Sequence, residues 1–155
     1  MRTKPRGRNL LVMLAGILGL ILLDQLVKHW VRGHIAVGGH RTVISGLLSL
    51  TNLTNSGAAW SFLAGNSWIF VIIAVGAIGG FGWLLFQSRS EPGLLVAVGL
   101  MFAGTAGNLL DRLQWGAVTD FIQLDFMQFP IFNLADCYLT VGVILLLLHL
   151  LVKEN

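Results

Sequence analysis

Four long apolar stretches limit what this chain can fold into. The hydrocarbon core of a bilayer is about 30 Å thick, and a helix rising about 1.5 Å per residue needs about 20 apolar residues to cross it. The sequence holds four such stretches, roughly residues 10–31, 68–86, 93–110 and 132–152. The second and third carry no charge, the first is uncharged from Leu10 to Leu23, and the fourth is purely apolar only after Asp136. Charged residues make up 11% of the 155, against about 25% in an average soluble domain. Mean hydropathy is +0.80. A soluble domain of this size has too much surface for its volume to hide that apolar content. Composition therefore excludes a soluble enzyme and a disordered chain. The net charge of +3 does not suggest nucleic acid, because the cations gather at Arg2, Lys4, Arg6 and Arg8. The expected fold is an all-α membrane protein: one domain, residues 1–155, of four transmembrane helices with a small extracytoplasmic β-structured element.

The basic N-terminus followed by an apolar run imitates a signal peptide. The chain continues into Asp24-Gln25-Leu26-Val27-Lys28 without a nearby small-residue cleavage site, so it reads as a retained first span. Four cations before that span set both termini inside by the positive-inside rule. Arg89 and Lys153 then fall inside, and Lys28, Arg32, Arg41 and Arg112 outside. Pro92 punctuates the start of span three after a tight inner turn. The outer side holds the long loop 32–66, where Thr42–Leu53 reads as a short strand pair broken at Gly46, and the loop 111–135. Five of the seven acids fall on that side: Asp24, Asp111, Asp120, Asp125 and Asp136. Trp30, Trp68 and Trp115 suit an interfacial belt. His29, His34 and His40 read as solvated loop residues with no common zinc spacing. There is no His-Glu-x-x-His and no Gly-x before Ser56-Gly57, so zinc and serine intramembrane protease readings lack their residues. One cysteine, Cys137, permits no intramolecular disulfide.

An Asp at the centre of a spanning helix costs about 2.5–3.5 kcal/mol on insertion scales, so such residues pair, face water or do chemistry. Asp120, in Val118-Thr119-Asp120-Phe121-Ile122, and Asp136, in Phe132-Asn133-Leu134-Ala135-Asp136, both fall near the outer face, and a turn at Pro130 can bring them together. Two carboxylates about 4 Å apart repel by about 4 kcal/mol at an effective dielectric of 20, or roughly three pKa units. Such a pair holds one proton near neutral pH, so one member can deprotonate water while the other donates to a carbonyl. The competing reading is that Asp120 caps a turn and Asp136 caps span four. Asn108 and Arg112 share a face if span three extends that far. Arg112 is then either an orienting group or a snorkelling cation. Asp24 and Lys28, also four apart, make a structural ion pair or part of a site. The small run Gly104-Thr105-Ala106-Gly107 admits a neighbouring helix or an extended substrate. Gly76 and Gly80 read as helix-packing positions. A small transporter relaying protons needs a carboxylate near mid-membrane, and a scaffold leaves the one-sided Asn and Asp unexplained.

Five ordered blocks resemble one family. They are Asp24-Gln25-Leu26-Val27-Lys28, Asn55-Ser56-Gly57-Ala58-Ala59-Trp60-Ser61, Gly104-Thr105-Ala106-Gly107-Asn108-Leu109-Leu110-Asp111-Arg112, Val118–Ile122 and Phe132–Asp136. Together they resemble the lipoprotein signal peptidases, the bacterial type II signal peptidases, over nearly the whole chain. The resemblance implies a four-helix membrane aspartyl protease that removes signal peptides from lipid-modified prolipoproteins, cutting before the diacylglyceryl-modified Cys. It implies Asp120 and Asp136 as the catalytic pair. It also implies Asn55, Gly57, Gly104, Asn108, Arg112 and Asn133 as residues lining or supporting the site, and Asp24 and Lys28 at the outer end of span one. It further implies no cofactor or metal, inhibition by globomycin-type cyclic peptides, and membrane lipids as partners of a monomer in the bacterial cytoplasmic membrane. Trp60, Thr105 and Cys137 depart from the family's commoner Phe, Gly or Ala, and Ser. They bear on substrate fit, not on the catalytic groups.

Overall fold

The computed structural model describes residues 6–57 and 67–154. Arg6–His34 forms helix α1, followed by strands β1 (His40–Ile44) and β2 (Leu48–Asn55). Helix α2 (Ser67–Gln87) and a single 3-10 turn lead into α3 (Pro92–Trp115). Strand β3 (Val118–Leu124) and α4 (Leu134–Glu154) complete the order. Each of the four helices is long and apolar enough to cross a membrane. Pro92 opens α3 as expected, where its missing N–H costs nothing. Gly116 closes α3 in the left-handed region at φ +71°, its N–H bonded to Arg112 O at 3.0 Å, a conformation that suits a residue without Cβ.

Helix α3 is the hub. It touches each of the other three helices, and most of its apolar window is buried, whereas the other three leave theirs largely open. Ile17, Leu85, Leu95, Val98 and Ala103 form a core between α1, α2 and α3. Val71 and Ala74 pack on Leu109, with Ile78 at the edge. Large side chains such as Leu18, Ile72 and Leu151 point outward, the inverse of a soluble core and the surface that hydrocarbon covers.

Three boundaries differ from the sequence reading. Helix α1 runs on to His34, so His29 and His34 lie on helix rather than loop, with His34 stacked on Trp30 at 4.8 Å. Helix α3 continues five residues past the expected end, because Asp111 and Arg112 find polar partners there. Span four starts at Leu134, two residues late. The glycine pair Gly76 and Gly80 is also corrected. Nothing lies within 4 Å of a Cβ built on either, because α2 meets α3 through Val71, Ala74 and Ile78 on its other side.

The expected strand pair gains a third member. The sheet order is β1-β2-β3, antiparallel throughout, with Gly46 in the β1–β2 turn at φ +72°. Asp120 therefore lies in a strand, not at a turn, and the turn-capping reading fails. Val31 of α1 and Ile35 just after it pack on Phe121 of β3 and fix the sheet to one end of the helices.

Candidate active site

The start of α4 organises the site. Asn133 is the residue before the helix, and its side-chain oxygen accepts the Asp136 N–H at 3.0 Å. In return Asp136 Oδ2 accepts the Asn133 N–H at 3.2 Å. This reciprocal arrangement is a capping box, with Asp in the place more often held by Glu. The capping reading of Asp136 is thus correct in geometry, and it occupies only one carboxylate oxygen. The other, Oδ1, accepts Asn108 Nδ2 at 2.8 Å. Asp136 is half-buried.

Asn133 also reaches the second carboxylate. Its Nδ2 donates to Asp120 Oδ1 at 2.6 Å and to Asn108 Oδ1 at 3.2 Å. Asp120 Oδ2 accepts Asn55 Nδ2 at 2.9 Å. That contact follows from register: Leu53 pairs with Asp120, and Asn55, two residues on, lies on the same face of β2. Asn55 Oδ1 in turn accepts the Gly57 N–H at 3.0 Å, and Arg112 Nη2 donates to Gly57 O at 3.2 Å. The Arg112 guanidinium lies over the Phe70 ring at 5.0 Å, so it is held inside the protein rather than snorkelling. Asp120 is 2% exposed. Burial pushes its carboxyl up to about 6, helped by the Asp136 charge and opposed by the hydrogen bonds from Asn55 and Asn133.

Behind this pair lies a layer of buried charge. Lys28 Nζ is 2.9 Å from Asp24 Oδ2 and 3.4 Å from Asp111 Oδ2, and all three side chains are fully buried. Lys28 also donates to Asn108 Oδ1 at 3.0 Å. Asp24 Oδ1 accepts the Ala135 N–H at 3.1 Å, tying α1 to the first turn of α4. Asp111 accepts the Thr119 N–H at 2.9 Å and faces Arg32 at 3.6 Å, tying α3 to β3. The pair Asp24–Lys28 is therefore structural and also part of the site. Gly104 and Gly107 make the close approach possible. A Cβ on Gly104 would fall on Ala135 O, and one on Gly107 would lie 2.7 Å from Asp24 Oδ2. The small-residue run thus serves helix packing. Thr105 is buried beside it and Cys137 is half-buried at the first turn of α4. Trp60, with residues 58–66, lies outside the described residues.

Every described site residue expected from sequence joins one hydrogen-bonded network except Gly104, which packs against Ala135 and Leu139 beside it. Two that carried no assigned role also belong to it: Asp111, and Gln25, whose Nε2 donates to Asp24, to Gly107 O and to Asp111. Gln25 stood in the sequence as a polar group within an otherwise apolar span, which is a demand for partners; Asp111 read as the first residue of a loop. The profile of the signal peptidase (SPase) II family matches residues 16–152.

The chain belongs to the signal peptidase II family. It is similar to a lipoprotein signal peptidase of Lactiplantibacillus plantarum, 48% identical over 139 residues, covering 90% of this chain and 93% of that one. A lipoprotein signal peptidase of Streptococcus pyogenes serotype M2 is 46% identical over 140 residues, covering 88% and 90%. A solved bacterial membrane enzyme superposes with a TM-score of 0.89 at 33% identity, covering 93% of this chain and 90% of its own. A second reaches 0.83 at 34% identity, covering 90% and 92%. Signal peptidase II membership makes the chain a multi-pass membrane protease, and the Asn133 network is where its polar chemistry gathers.

Proposed function

We propose that this protein is an aspartic endopeptidase that removes the signal peptide from diacylglyceryl-modified prolipoproteins, cutting before the lipidated Cys. The observation that carries the reading is Asn133, one buried residue that donates its side-chain amide to the Asp120 carboxylate and its backbone N–H to the Asp136 carboxylate. A single residue, through its side chain and its main chain, ties the two carboxyl groups to one site, which is what a water-activating pair requires. One carboxylate takes a proton from water as its oxygen attacks the scissile carbonyl carbon, and the other, protonated, gives its proton to the carbonyl oxygen. The first then protonates the departing amide nitrogen as the C–N bond breaks. The second recovers its proton from the collapsing hydroxyl, so the pair returns to its starting state.

In this reading the chain is a single domain and a monomer among membrane lipids. Both termini face the cytoplasm and the site lies at the extracytoplasmic face. The positive-inside rule supports that orientation: Arg2, Lys4, Arg6, Arg8, Arg89 and Lys153 fall on the inner side by sequence, against Lys28, Arg32, Arg41 and Arg112 on the outer. Asn55, Gly57 and Arg112 line the approach to Asp120, and a globomycin-type cyclic peptide would occupy the same place as substrate.

The test is a gel-shift cleavage assay in detergent with lipid-modified prolipoprotein and its unmodified precursor. Cleavage of the modified form alone is expected. Asp120→Asn and Asp136→Asn should each lower the rate by about 10²–10⁴-fold, the span of a lost general acid or base. A folded variant of either kind that still cuts at wild-type rate removes the pair from the mechanism.

A further inference from the structure

The two carboxyl groups do not sit in equivalent surroundings. Asp120 lies in a strand and takes its hydrogen bonds from two neutral amides, Asn55 and Asn133. Asp136 lies in the first turn of α4, where the unpaired N–H groups and the helix dipole favour negative charge. Its second donor is Asn108, and the orientation of that amide is fixed by a cation. Lys28 has only protons to give, so the Asn108 atom 3.0 Å from it is the oxygen, and Nδ2 is left to face Asp136 at 2.8 Å. A hydrogen bond donated by an ammonium to an amide oxygen polarises that amide and strengthens its N–H as a donor. The result is a directed chain, Lys28 to Asn108 to Asp136, running from α1 through α3 to α4.

We propose that Lys28 is a positioning residue for the reaction: acting through Asn108, it holds Asp136 as the ionised member of the pair and leaves the resting proton on Asp120. Asp136 is then the group that takes the proton of water, and Asp120 the group that gives one to the scissile carbonyl. The inference rests on the pair reading above and deepens it. The relay carries a directed preference rather than a general positive field. On its own helix Lys28 faces Asp24, with Arg32 one turn away. On α3 it faces Asp111 and Asn108, and Arg112 lies farther along. Asp136 on α4 and Asp120 on β3 face the cluster from their side. Asp24 and Asp111 offset Lys28 and Arg32 in charge; what is left of the Lys28 charge also favours an ionised Asp120, and only Asp136 receives in addition the hydrogen bond relayed through Asn108.

The test is the pH profile of cleavage. Lys28→Gln keeps an amide donor for Asn108 and removes the charge. The limb at which the base ionises should move up by about one pH unit, the scale of a lost charge contact, so that kcat on the acid side of the limb falls about tenfold while KM stays within about twofold. Lys28→Arg should restore the limb. Asn108→Ser breaks the chain beyond Lys28, leaves the Asp24–Lys28 pair intact, and should shift the limb in the same direction; it decides the matter if Lys28→Gln does not fold. A folded Lys28→Gln or Asn108→Ser protein with the wild-type profile, or a loss confined to KM or to melting temperature, overturns the relay. If Asp120→Asn and Asp136→Asn are both inactive in the same experiment, only the relay has failed. If either is active, the pair itself has.

Discussion

The molecule has two charged ends, and they are built on opposite principles. At one, Asp24, Lys28 and Asp111 are fully buried and share their polar atoms with Asn108, Gln25, Ala135 N and Thr119 N. At the other, Glu91 at the start of α3 meets His149 at 3.1 Å and Lys153 at 3.2 Å near the end of α4, with the Lys153 side chain 63% exposed. Both clusters tie α4 to the rest of the bundle, the first through Asp24 of α1 and the second through Glu91 at the start of α3. The first removes charge from solvent, which is tolerable only because nearly every hydrogen-bonding position is filled. The second leaves charge in water, where each partner can be replaced by solvent. Buried charge here is connected directly to the residues of the site, and exposed charge is not.

That contrast is most severely tested by Asp24→Ala. The change leaves Lys28 with a single carboxylate and strips the Ala135 N–H of its acceptor. Removing one member of a buried ion pair costs about 3–5 kcal/mol. Thermal unfolding in detergent should therefore show a fall of many degrees, accompanied by loss of cleavage, because the first turn of α4 carries Asp136. A melting temperature close to wild type would mean that the buried cluster is no more structural than the exposed one.

A second prediction concerns pH and has a defined sign. The Asp120 carboxyl is raised from its ordinary 3.8 to about 6, chiefly by burial. Below 3.8 the group is protonated folded or unfolded and contributes no pH dependence. Between 3.8 and about 6 the unfolded chain releases the proton while the folded protein keeps it, so stability falls as pH rises, by roughly 3 kcal/mol at most. Asp120→Asn has no such proton. The stability of this variant relative to wild type should climb across that window and level off above it. A constant offset from pH 4 to 7 would show that the Asp120 site is not desolvated as its burial implies.

How much of this was legible beforehand depends on the kind of interaction. The four spans follow from local hydropathy and were readable to within a few residues. The errors lay where polar groups decide. Span three reads as ending before Asp111, because a charge looks like an exit from the bilayer, yet α3 continues because Gln25 and Lys28 on α1 receive that charge. The role of Asp111 was illegible for the same reason: Gln25, Lys28 and Arg32, which receive it, all come from α1, far away in sequence, and only Thr119 is near. Strand β3 was missed because a strand's partner is set by long-range register, although Asp120 itself stood out as an acid among apolar residues. Asn133 was marked by the family resemblance alone. Nothing in the spacing said that its side chain would bond one carboxyl group and its backbone N–H the other. The packing of Gly76 and Gly80 was misread because a GxxxG pattern gives a spacing and not a direction. Gly104 and Gly107 differ only in facing a neighbour.

The smallest effect is expected at the exposed end, and it completes the comparison. The Glu91 carboxyl is held below its ordinary 4.5, first by the Lys153 hydrogen bond and then by His149. A depressed acid contributes stability that is present above its ordinary value and is lost as pH falls through the folded one. Glu91→Gln should therefore be indistinguishable from wild type in acid and, because solvent replaces exposed partners so readily, nearly indistinguishable at neutral pH as well. Added salt, which screens exposed pairs over about 8–10 Å at ordinary ionic strength, should erase whatever difference is left. The same salt series applied to Asp24→Ala should leave its defect in place, since a fully buried pair is not reached by counterions. If instead both variants respond alike to salt, the Asp24–Lys28 pair is open to water, and the network around Asn133 lacks the dry backing that its role beside Asp120 and Asp136 requires.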